Sequence, residues 1–213
     1  MWSLIKIPRK FRHSYLFFLP LTFFNLGSYS QEIINTDTHR LEKVADGVYF
    51  AVGTGNIYTM SNALIIERES DVVIVDSHIT PAAGRALLDS IQSVTEKPVT
   101  TLINSHFHYD HSNGTPAFGN DIEIIGHEVT YQKLTTDPEN EHTFQSSLIR
   151  FNNTISRLRS ELDNSSNNDE REQLQRELEY WQRHVEAQSE IVFTPPTQTL
   201  RDKMTLYLSL IHI

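Results

Sequence analysis

Alternating and continuous apolar runs, separated by short polar turns, fill the chain between residues 41 and 130. The segment EKVADGVYFAV (Glu42–Val52) predicts a β-hairpin that turns at Asp46-Gly47, because Asp-Gly favours the tight turn between paired strands. The runs NALIIE (Asn62–Glu67) and DVVIVD (Asp71–Asp76) predict further strands joined by a short polar turn. Together these strands predict a meander.

A helix and further strands follow the meander. The segment TPAAGRALLDSIQSV predicts a helix with Thr80 as N-cap and Pro81 in its first turn, and its apolar residues share one face. The runs VTTLIN (Val99–Asn104) and IEIIG (Ile122–Gly126) predict two more strands. Strands that come first as a meander and then alternate with helix are typical of a layered α/β domain.

Residues 143–190 have a different, helical period. Apolar residues recur every three or four positions in two stretches separated by the polar sequence DNSSNNDE. They are Leu148, Phe151, Ile155, Leu158 and Leu162 in the first stretch and Leu174, Leu178, Trp181 and Val185 in the second. The pattern predicts an inserted helical hairpin at residues 143–193 whose stripes bury each other. The alternative is a lid or a dimer arm beside the active site, which predicts a homodimer through the hairpin.

The first 30 residues predict a secretory signal peptide. A basic patch from Lys6 to Arg12 precedes the apolar block YLFFLPLTFFNL (Tyr15–Leu26), and small residues follow up to Ser30. The block is shorter than an ordinary transmembrane helix. We therefore expect a periplasmic or secreted mature protein that begins near Gln31 and has no stable membrane anchor. An uncleaved anchor is the alternative.

The chain is acidic, with 18 Lys+Arg against 27 Asp+Glu and a formal net charge of −9. Such a surface repels polyphosphate, so the expected partner is a small-molecule substrate and no nucleic acid. The chain contains no cysteine. Disulfides and thiolate metal ligands are therefore excluded.

The segment INSHFHYDHSNG (Ile103–Gly114) concentrates metal-ligating side chains directly after a predicted strand. In an extended loop the side chains alternate, so His106, His108 and Asp110 share one side, whereas His111 points elsewhere unless the chain turns. This geometry predicts two adjacent metal positions, the first served by His106 and His108 and the second by Asp110 and His111. A histidine-rich polar loop without a metal is the alternative.

Nitrogen and oxygen donors without sulfur favour one or two Zn²⁺ ions, with Mn²⁺, iron or Co²⁺ as substitutes. Zinc lowers the pKa of a bound water to about 7 and so generates hydroxide at neutral pH. Zinc held by these side chains would therefore supply a hydroxide nucleophile, which two adjacent metals could share.

Three motifs resemble those of the metallo-β-lactamase superfamily, in the same order and spacing. HFHYDH fits the HxHxDH signature, VVIVDSH (Val72–His78) is similar to the strand that ends in a buried aspartate, and IIGHE (Ile124–Glu128) is similar to the strand that follows. The resemblance implies an αββα sandwich with a mono- or dinuclear metal site at one edge. Residues 31–142 and the strands that start within 194–213 would belong to its N-terminal half.

Carried over by position, the resemblance implies first-metal ligands at His106 and His108 and second-metal ligands at Asp110 and His111. Asp110 would also be the catalytic residue that orients the attacking water. The family hydrolyses β-lactams, thioesters, lactones, sulfate esters and phosphodiesters. The resemblance therefore implies a zinc-dependent hydrolase in which metal-bound hydroxide attacks a carbonyl group, with a β-lactam or a related amide or ester as the expected substrate. A glyoxalase-II-like thioesterase or a lactonase is the alternative. A non-catalytic metal-binding or interaction module, or an inactive fragment, is the alternative of another class.

Further residues are expected around the metal ligands. Asp76 either braces the histidine segment by accepting hydrogen bonds, as the resemblance implies, or caps its strand. His127 is expected behind the ligands or at the edge of the core. His78 is expected either near the metals or the substrate or in a surface turn. The loop Val52–Asn62 either overhangs the substrate, as the resemblance implies, or is an ordinary long hairpin. Three further histidines are expected to lie in polar surroundings and are assigned no function: His39, His142 and His184.

The resemblance also requires ligands that residues 1–213 do not supply, namely one further histidine for each metal and a bridging aspartate. His212 has the wrong neighbours for a ligand. The last six residues, LSLIHI, match the translation of a common transposase sequencing adapter. We therefore expect that the reading frame runs into adapter and that the native chain continues past about Tyr207. A genuine short protein with a half-site is the alternative.

Overall fold

The structure, a computed structural model, describes residues 32–207. The predicted signal peptide and the C-terminal residues 208–213 lie outside the described residues, so the expectations for them remain predictions. Between residues 32 and 207, no helix combines the length and the apolar character that a membrane crossing requires.

Within that range, eight strands form one sheet whose spatial order is the order along the chain. The strands are β1 (Ile33–Asn35), β2 (His39–Ala45), β3 (Val48–Gly53), β4 (Ala63–Glu67), β5 (Val72–Val75), β6 (Val99–Ile103), β7 (Glu123–His127) and β8 (Gln198–Leu200). Neighbours from β1 to β5 pair antiparallel, whereas neighbours from β5 to β8 pair parallel. The predicted meander and α/β class are therefore confirmed, and the sheet agrees with one half of the expected sandwich.

Five α-helices accompany the sheet in the described part of the chain. They are α1 (Pro81–Ile91), α2 (Tyr109–Ser112), α3 (Glu128–Thr135), α4 (His142–Asn164) and α5 (Asn168–Ala187). The start of α1 is as predicted, because the Thr80 side chain accepts a hydrogen bond of 3.1 Å from the Ala83 amide and Pro81 occupies the first turn.

The change from antiparallel to parallel pairing determines where the polar loops lie. A tight turn between β4 and β5 is closed by an ion pair between Arg68 Nε and Asp71 Oδ1 at 2.5 Å. Helix α1 then returns the chain to the start of β6, as a parallel pair requires. The carboxyl ends of β5, β6 and β7 consequently lie side by side at one edge of the sheet.

Helix α1 covers one face of the sheet. Leu87 and Ile91 of the helix pack with Ile65, Ile74 and Leu102 of the sheet, and each of these side chains is at most 2% exposed. Burial of this apolar surface is the main force that holds the helix to the sheet.

The opposite face of the sheet carries a row of apolar side chains. Cross-strand pairing places Phe50 beside Leu64, Leu64 beside Val75, and Val75 beside Ile103. All four are only partly buried. This row therefore gives the second face a continuous apolar strip that crosses four strands.

The two predicted helices of the hairpin are present as α4 and α5, and their stripes pack together around Leu158 and Leu178. Phe151 of α4 also contacts Tyr58 in the loop after β3, with ring centroids 5.9 Å apart. It stacks on Trp181 of α5 at 5.7 Å. The stripes therefore bury each other and also attach the hairpin to a loop of the sheet.

The prediction of polar surroundings for His184 is wrong. The side chain is 6% exposed and lies among aromatic rings, 4.6 Å from the centroid of Phe151 and 4.8 Å from that of Tyr58. Its neighbours in sequence are polar because they occupy the outer faces of α5, whereas His184 is placed inward by the helical period.

Phe151→Ala is expected to lower the free energy of unfolding by about 3–5 kcal/mol, because it removes a large ring from a packed site. Phe151 is 1% exposed, whereas Ile149 on the same helix is 62% exposed. The control Ile149→Ala should therefore change the free energy by less than about 0.5 kcal/mol. Urea unfolding followed by circular dichroism measures both variants. Equal losses would contradict the described packing.

Because His184 is buried, we expect the free energy of unfolding to decrease at acidic pH. Burial lowers the pKa of His184 from 6.5 to about 4 in the folded chain. As the pH falls from about 6.5 to about 4, the unfolded state binds the proton first, so the free energy of unfolding should decrease by up to about 1.4 kcal/mol per pH unit. His184→Leu should reduce this loss, and a control at the exposed His142, His142→Leu, should not. Identical pH profiles for His184→Leu and the wild type would refute the prediction.

Candidate metal centre

The segment that carries the predicted ligands leaves β6 and turns sooner than the sequence suggested. Backbone from Asn104 to His108, here called the histidine loop, ends with His108 in an extended conformation, φ −60° and ψ 144°. The chain then enters the single helical turn of α2 at Tyr109. The expectation of an extended loop as far as Asp110 is therefore wrong, and the turn brings His111 back toward the histidine loop.

The structure brings the four predicted ligands together as two pairs. His106 Nε2 lies 3.0 Å from His108 Nδ1, and Asp110 Oδ2 lies 3.3 Å from His111 Nε2. The pairs are adjacent, because the ring centroids of His106 and His111 are 4.1 Å apart. All four side chains are partly accessible to solvent.

Asp76 connects the histidine loop to α2. Its carboxylate accepts hydrogen bonds from the Ser105 amide at 2.8 Å, the Ser105 hydroxyl at 2.7 Å and His111 Nδ1 at 2.8 Å. The residue is 6% exposed and has a positive φ of 66°, an uncommon conformation for a residue other than glycine. The carboxylate thus holds Ser105, near the start of the loop, and His111, the last predicted ligand, at the same point.

These hydrogen bonds decide which ring nitrogens face the predicted metal positions. The Ser105 hydroxyl has one hydrogen and gives it to Asp76, so at 3.0 Å it accepts from His106 Nδ1. His111 likewise donates from Nδ1 to Asp76. In their neutral forms both rings therefore present an unprotonated Nε2. Ligating histidines commonly donate their other N–H to such a partner.

The electrostatics of the second pair favour a cation. Burial opposes a charge on His111, but hydrogen bonds to Asp110 and Asp76 outweigh it and raise the pKa of His111 to about 9. For His106 the pKa is lowered, first by burial and then by the charges of His111 and His108. Without a metal, a proton is thus held between His111 and Asp110. A divalent cation at the same place would displace that proton.

The donors of each pair fit zinc in type and spacing. Two ligands of a tetrahedral zinc ion, each about 2.0–2.1 Å from the metal, are roughly 3.3 Å apart. The pairs measured here are 3.0 and 3.3 Å apart. Among residues 32–207, no group of three or more His, Cys, Asp or Glu side chains is arranged to hold one ion. Each position therefore has two protein donors from the described residues.

The loop after β3 and the helical hairpin both contact α2. The Ser61 hydroxyl donates to the carbonyl of Asp110. The Tyr109 hydroxyl donates to the sulfur of Met60 at 3.4 Å and accepts from Arg150 Nη2 at 3.2 Å. The predicted loop Val52–Asn62 therefore lies against the turn that carries the second pair.

Close backbone packing fixes the other end of α2. The amide of Ser77 donates to the His111 carbonyl and the amide of Gly114 donates to the His78 carbonyl, each at 2.9 Å. A Cβ atom on Gly114 would lie only 1.8 Å from the carbonyl oxygen of Ser77. Glycine is therefore required at this position, where two backbone segments touch.

His127 does not contact the predicted ligands through its described hydrogen bonds. Its Nδ1 accepts from the Val129 amide at 3.1 Å, so the residue caps α3. Its Nε2 donates to the Arg201 carbonyl at 2.6 Å. His127 leaves the same edge of the sheet as the histidine loop, but it connects α3 to the segment after β8.

Two histidines are buried against the sequence-based expectation. His78 is fully buried, which excludes a surface turn. His39 is also fully buried, although its ring has polar neighbours, the Thr38 and Ser90 hydroxyls. Their Nε2 atoms are 3.0 Å apart. The alternation of β2 was the available signal, because His39 shares a face with the buried Leu41.

A sequence model of the metallo-beta-lactamase superfamily matches residues 57–176, more than half of the chain, including the histidine loop. The chain belongs to the metallo-β-lactamase superfamily. The family resemblance of the HFHYDH motif is therefore confirmed.

Two curated relatives share part of this sequence. A linear primary-alkylsulfatase from Pseudomonas sp. is 31% identical over 85 residues, which cover 40% of this chain and 16% of that protein. The alpha subunit of a 2,4-dinitroanisole O-demethylase from Nocardioides sp. is 33% identical over 86 residues, which cover 38% of this chain and 26% of that subunit. The chain thus spans 16–26% of the length of these relatives.

Among solved structures, a metallo-β-lactamase from Erythrobacter litoralis is similar with a TM-score of 0.43 and 22% sequence identity. The similarity covers 51% of this chain and 48% of that one. A sec-alkylsulfatase from Pseudomonas sp. is similar with a TM-score of 0.36 and 27% identity, over 40% of this chain and 14% of that one.

Asp76→Asn is expected to weaken zinc binding by about 10–100-fold, the usual effect of removing a hydrogen-bond partner behind a ligand. The amide nitrogen of Asn cannot accept the hydrogens that Ser105 and His111 now donate to the carboxylate. Competition with a chromophoric chelator measures the affinity. Asp121→Asn is the control, because Asp121 is exposed. If Asp76→Asn bound zinc as tightly as the control, Asp76 would not orient the ligands.

Proposed function

We propose that this chain carries the metal-binding loop of a zinc-dependent hydrolase that acts on a small organic ester. The observation that supports it most directly is the pair of donor sets aligned by one carboxylate, His106 with His108 and Asp110 with His111, around Asp76. Membership of the superfamily, whose members include hydrolases, agrees with this proposal.

Each residue has a distinct role in the proposal. His106 and His108 would hold the first metal, and Asp110 and His111 would hold the second. When bound, zinc supplies Lewis acidity and lowers the pKa of water. The Asp110 carboxylate, 16% exposed at its side chain, orients the attacking water by accepting one of its hydrogens. Asp76 keeps the rings of His106 and His111 in the orientation in which Nε2 faces the metals.

The names of the relatives bear on the substrate class. An alkylsulfatase and an O-demethylase subunit both act on a bond to an oxygen substituent. We therefore propose a sulfate or carboxylic ester ahead of a β-lactam. The thioester and lactone alternatives use the same attack by water at an electrophilic centre and are separated by assay.

The expected location follows from the signal-like N-terminus. We propose that the mature protein begins near Gln31 and acts in the periplasm or outside the cell. We also propose that the hairpin of α4 and α5 is the surface through which two copies would associate. N-terminal sequencing of the native protein tests the first point, and its mass in solution tests the second.

His108→Ala is expected to abolish most hydrolysis by the full-length protein, because it removes one of two described donors to the first metal. A panel of dodecyl sulfate, a nitrophenyl ester, nitrocefin and S-lactoylglutathione identifies the reaction. His142→Ala, at an exposed position, is the control and should keep full activity. Treatment with EDTA should abolish turnover and added zinc should restore it.

The 213-residue chain by itself is expected to bind zinc weakly and to show little turnover, since structural and catalytic zinc sites use three or four protein ligands. Zinc per chain after dialysis measures this directly. Two tightly held metals with turnover in this chain would refute the half-site interpretation. Tight zinc binding by the full-length protein without turnover of any panel member would instead favour a non-catalytic metal-binding module.

A further inference from the structure

Two histidines form a buried pair behind the metal centre. The ring of His39, at the start of β2, lies parallel to that of His78, which follows β5, with centroids 5.1 Å apart and an interplanar angle of 19°. Their Nε2 atoms are 3.0 Å apart, and both residues are fully buried. One hydrogen must therefore lie between the two nitrogens, donated by one ring and accepted by the other.

The direction of that hydrogen bond follows from the contacts on the other side of the His78 ring, which lead through Ser61 to the Asp110 carbonyl. The carbonyl oxygen of Asp110 can only accept, so the Ser61 hydroxyl gives its one hydrogen to it. Ser61 Oγ is then an acceptor for His78 Nδ1, which lies 3.3 Å away. With its hydrogen on Nδ1, a neutral His78 has a bare Nε2.

The same reasoning fixes the other ring. His39 Nε2 must donate to the bare Nε2 of His78. His39 Nδ1 is then an acceptor, and the Thr38 hydroxyl lies 3.0 Å from it. The Ser90 hydroxyl is also 3.0 Å from Nδ1, but it gives its hydrogen to the Ala86 carbonyl at 2.9 Å. The hydrogen bonds therefore run in one direction, from the Thr38 hydroxyl through both rings and Ser61 to the carbonyl of Asp110.

Both rings are neutral near pH 7. Burial lowers the pKa of His39 to about 4. Burial, and then the charge of His39, lower the pKa of His78 to about 3. A proton added to His78 would lie on Nε2 and place two donors against each other at the Nε2 contact. This is a further reason for the neutral state of His78.

The Asp110 carbonyl, where this series of hydrogen bonds ends, belongs to the turn that carries the second donor pair. Helix α2 has only four residues. The amide of Gly114, which could have donated to the Asp110 carbonyl in a longer helix, donates to the His78 carbonyl instead. The His78 carbonyl thus accepts the amide hydrogen that the Asp110 carbonyl would accept in a longer helix. The Asp110 carbonyl accepts from the Ser61 hydroxyl instead, and the ring of His78 orients that hydroxyl.

We propose that His39 and His78 are positioning residues that hold Asp110 and His111 in place through the Ser61 hydroxyl. They touch neither metal nor substrate, and their role toward a metal rests on the proposed function. The left-handed backbone of His78, φ 70°, agrees with a position that the surrounding contacts determine strictly.

The ring tautomers test the proposal without any metal or substrate. Long-range ¹H–¹⁵N NMR of the full chain at pH 7 should find His39 protonated only on Nε2 and His78 only on Nδ1. A His78 ring protonated on Nε2, or a doubly protonated one, would overturn the proposal. A failure of hydrolysis would leave this result unchanged, so the two proposals fail separately.

Variants at His39 separate positioning from packing. The amide nitrogen of His39→Gln can still donate to His78 Nε2, whereas His39→Leu has similar size and cannot. In His39→Leu we expect a shifted His111 ring resonance and roughly tenfold weaker zinc binding at that ring. In His39→Gln both should stay close to the wild type, within about threefold in affinity.

The readout is a zinc titration followed at the His111 ring nitrogens, which reports weak binding directly. Thermal melting of both variants shows whether they are folded. If His39→Leu lowered the melting temperature but left the His111 resonance and its zinc affinity unchanged, the pair would serve packing alone and the proposal would be wrong. If His39→Leu failed to fold, the tautomers of His39 and His78 in the wild type would still support or overturn the proposal.

Discussion

The hydrogen bonds to the Asp76 carboxylate are the interaction on which the candidate centre depends. A carboxylate that is 6% exposed has almost no water to satisfy it, so protein donors must surround it. Ser105 and His111 provide these donors. Ser105 precedes the first candidate ligand and His111 is the last one. A single buried carboxylate therefore constrains the backbone that carries all four candidate ligands. This is possible only because parallel pairing places the end of β5 directly beside the end of β6.

Much of the fold could be predicted because its signals are local. The turn at Asp46-Gly47, the cap at Thr80 and the helical periods of α4 and α5 each depend on residues within a few positions of one another. The identities of the candidate ligands were likewise evident from one short motif. These features need no knowledge of which segments meet in space, so sequence patterns were sufficient to place them.

The features that were missed depend on contacts between distant segments. The turn at Tyr109 is stabilised by the Ser61 hydroxyl and by backbone bonds to Ser77 and His78, and these partners lie more than 30 positions away. His39 is buried because it meets His78, 39 positions later. A histidine has no strong preference for the interior, so its burial depends on whether a partner is present there. Polar neighbours in the sequence could not reveal that partner.

The order of the sheet also determines when its parts can assemble. Because each strand pairs with the strand that precedes it, the sheet requires no contact with a segment that has not yet been synthesised. Strands β1 to β5 can pair before the histidines that follow them become available, and domains often begin to fold from the N-terminal side. The short loops between neighbouring strands from β1 to β5 also favour fast folding of this part of the sheet. Asp76 would then already be in position at the end of β5 when Ser105 and His111 become available to donate to it. The acceptor that orders the candidate centre would therefore be in place before its donors.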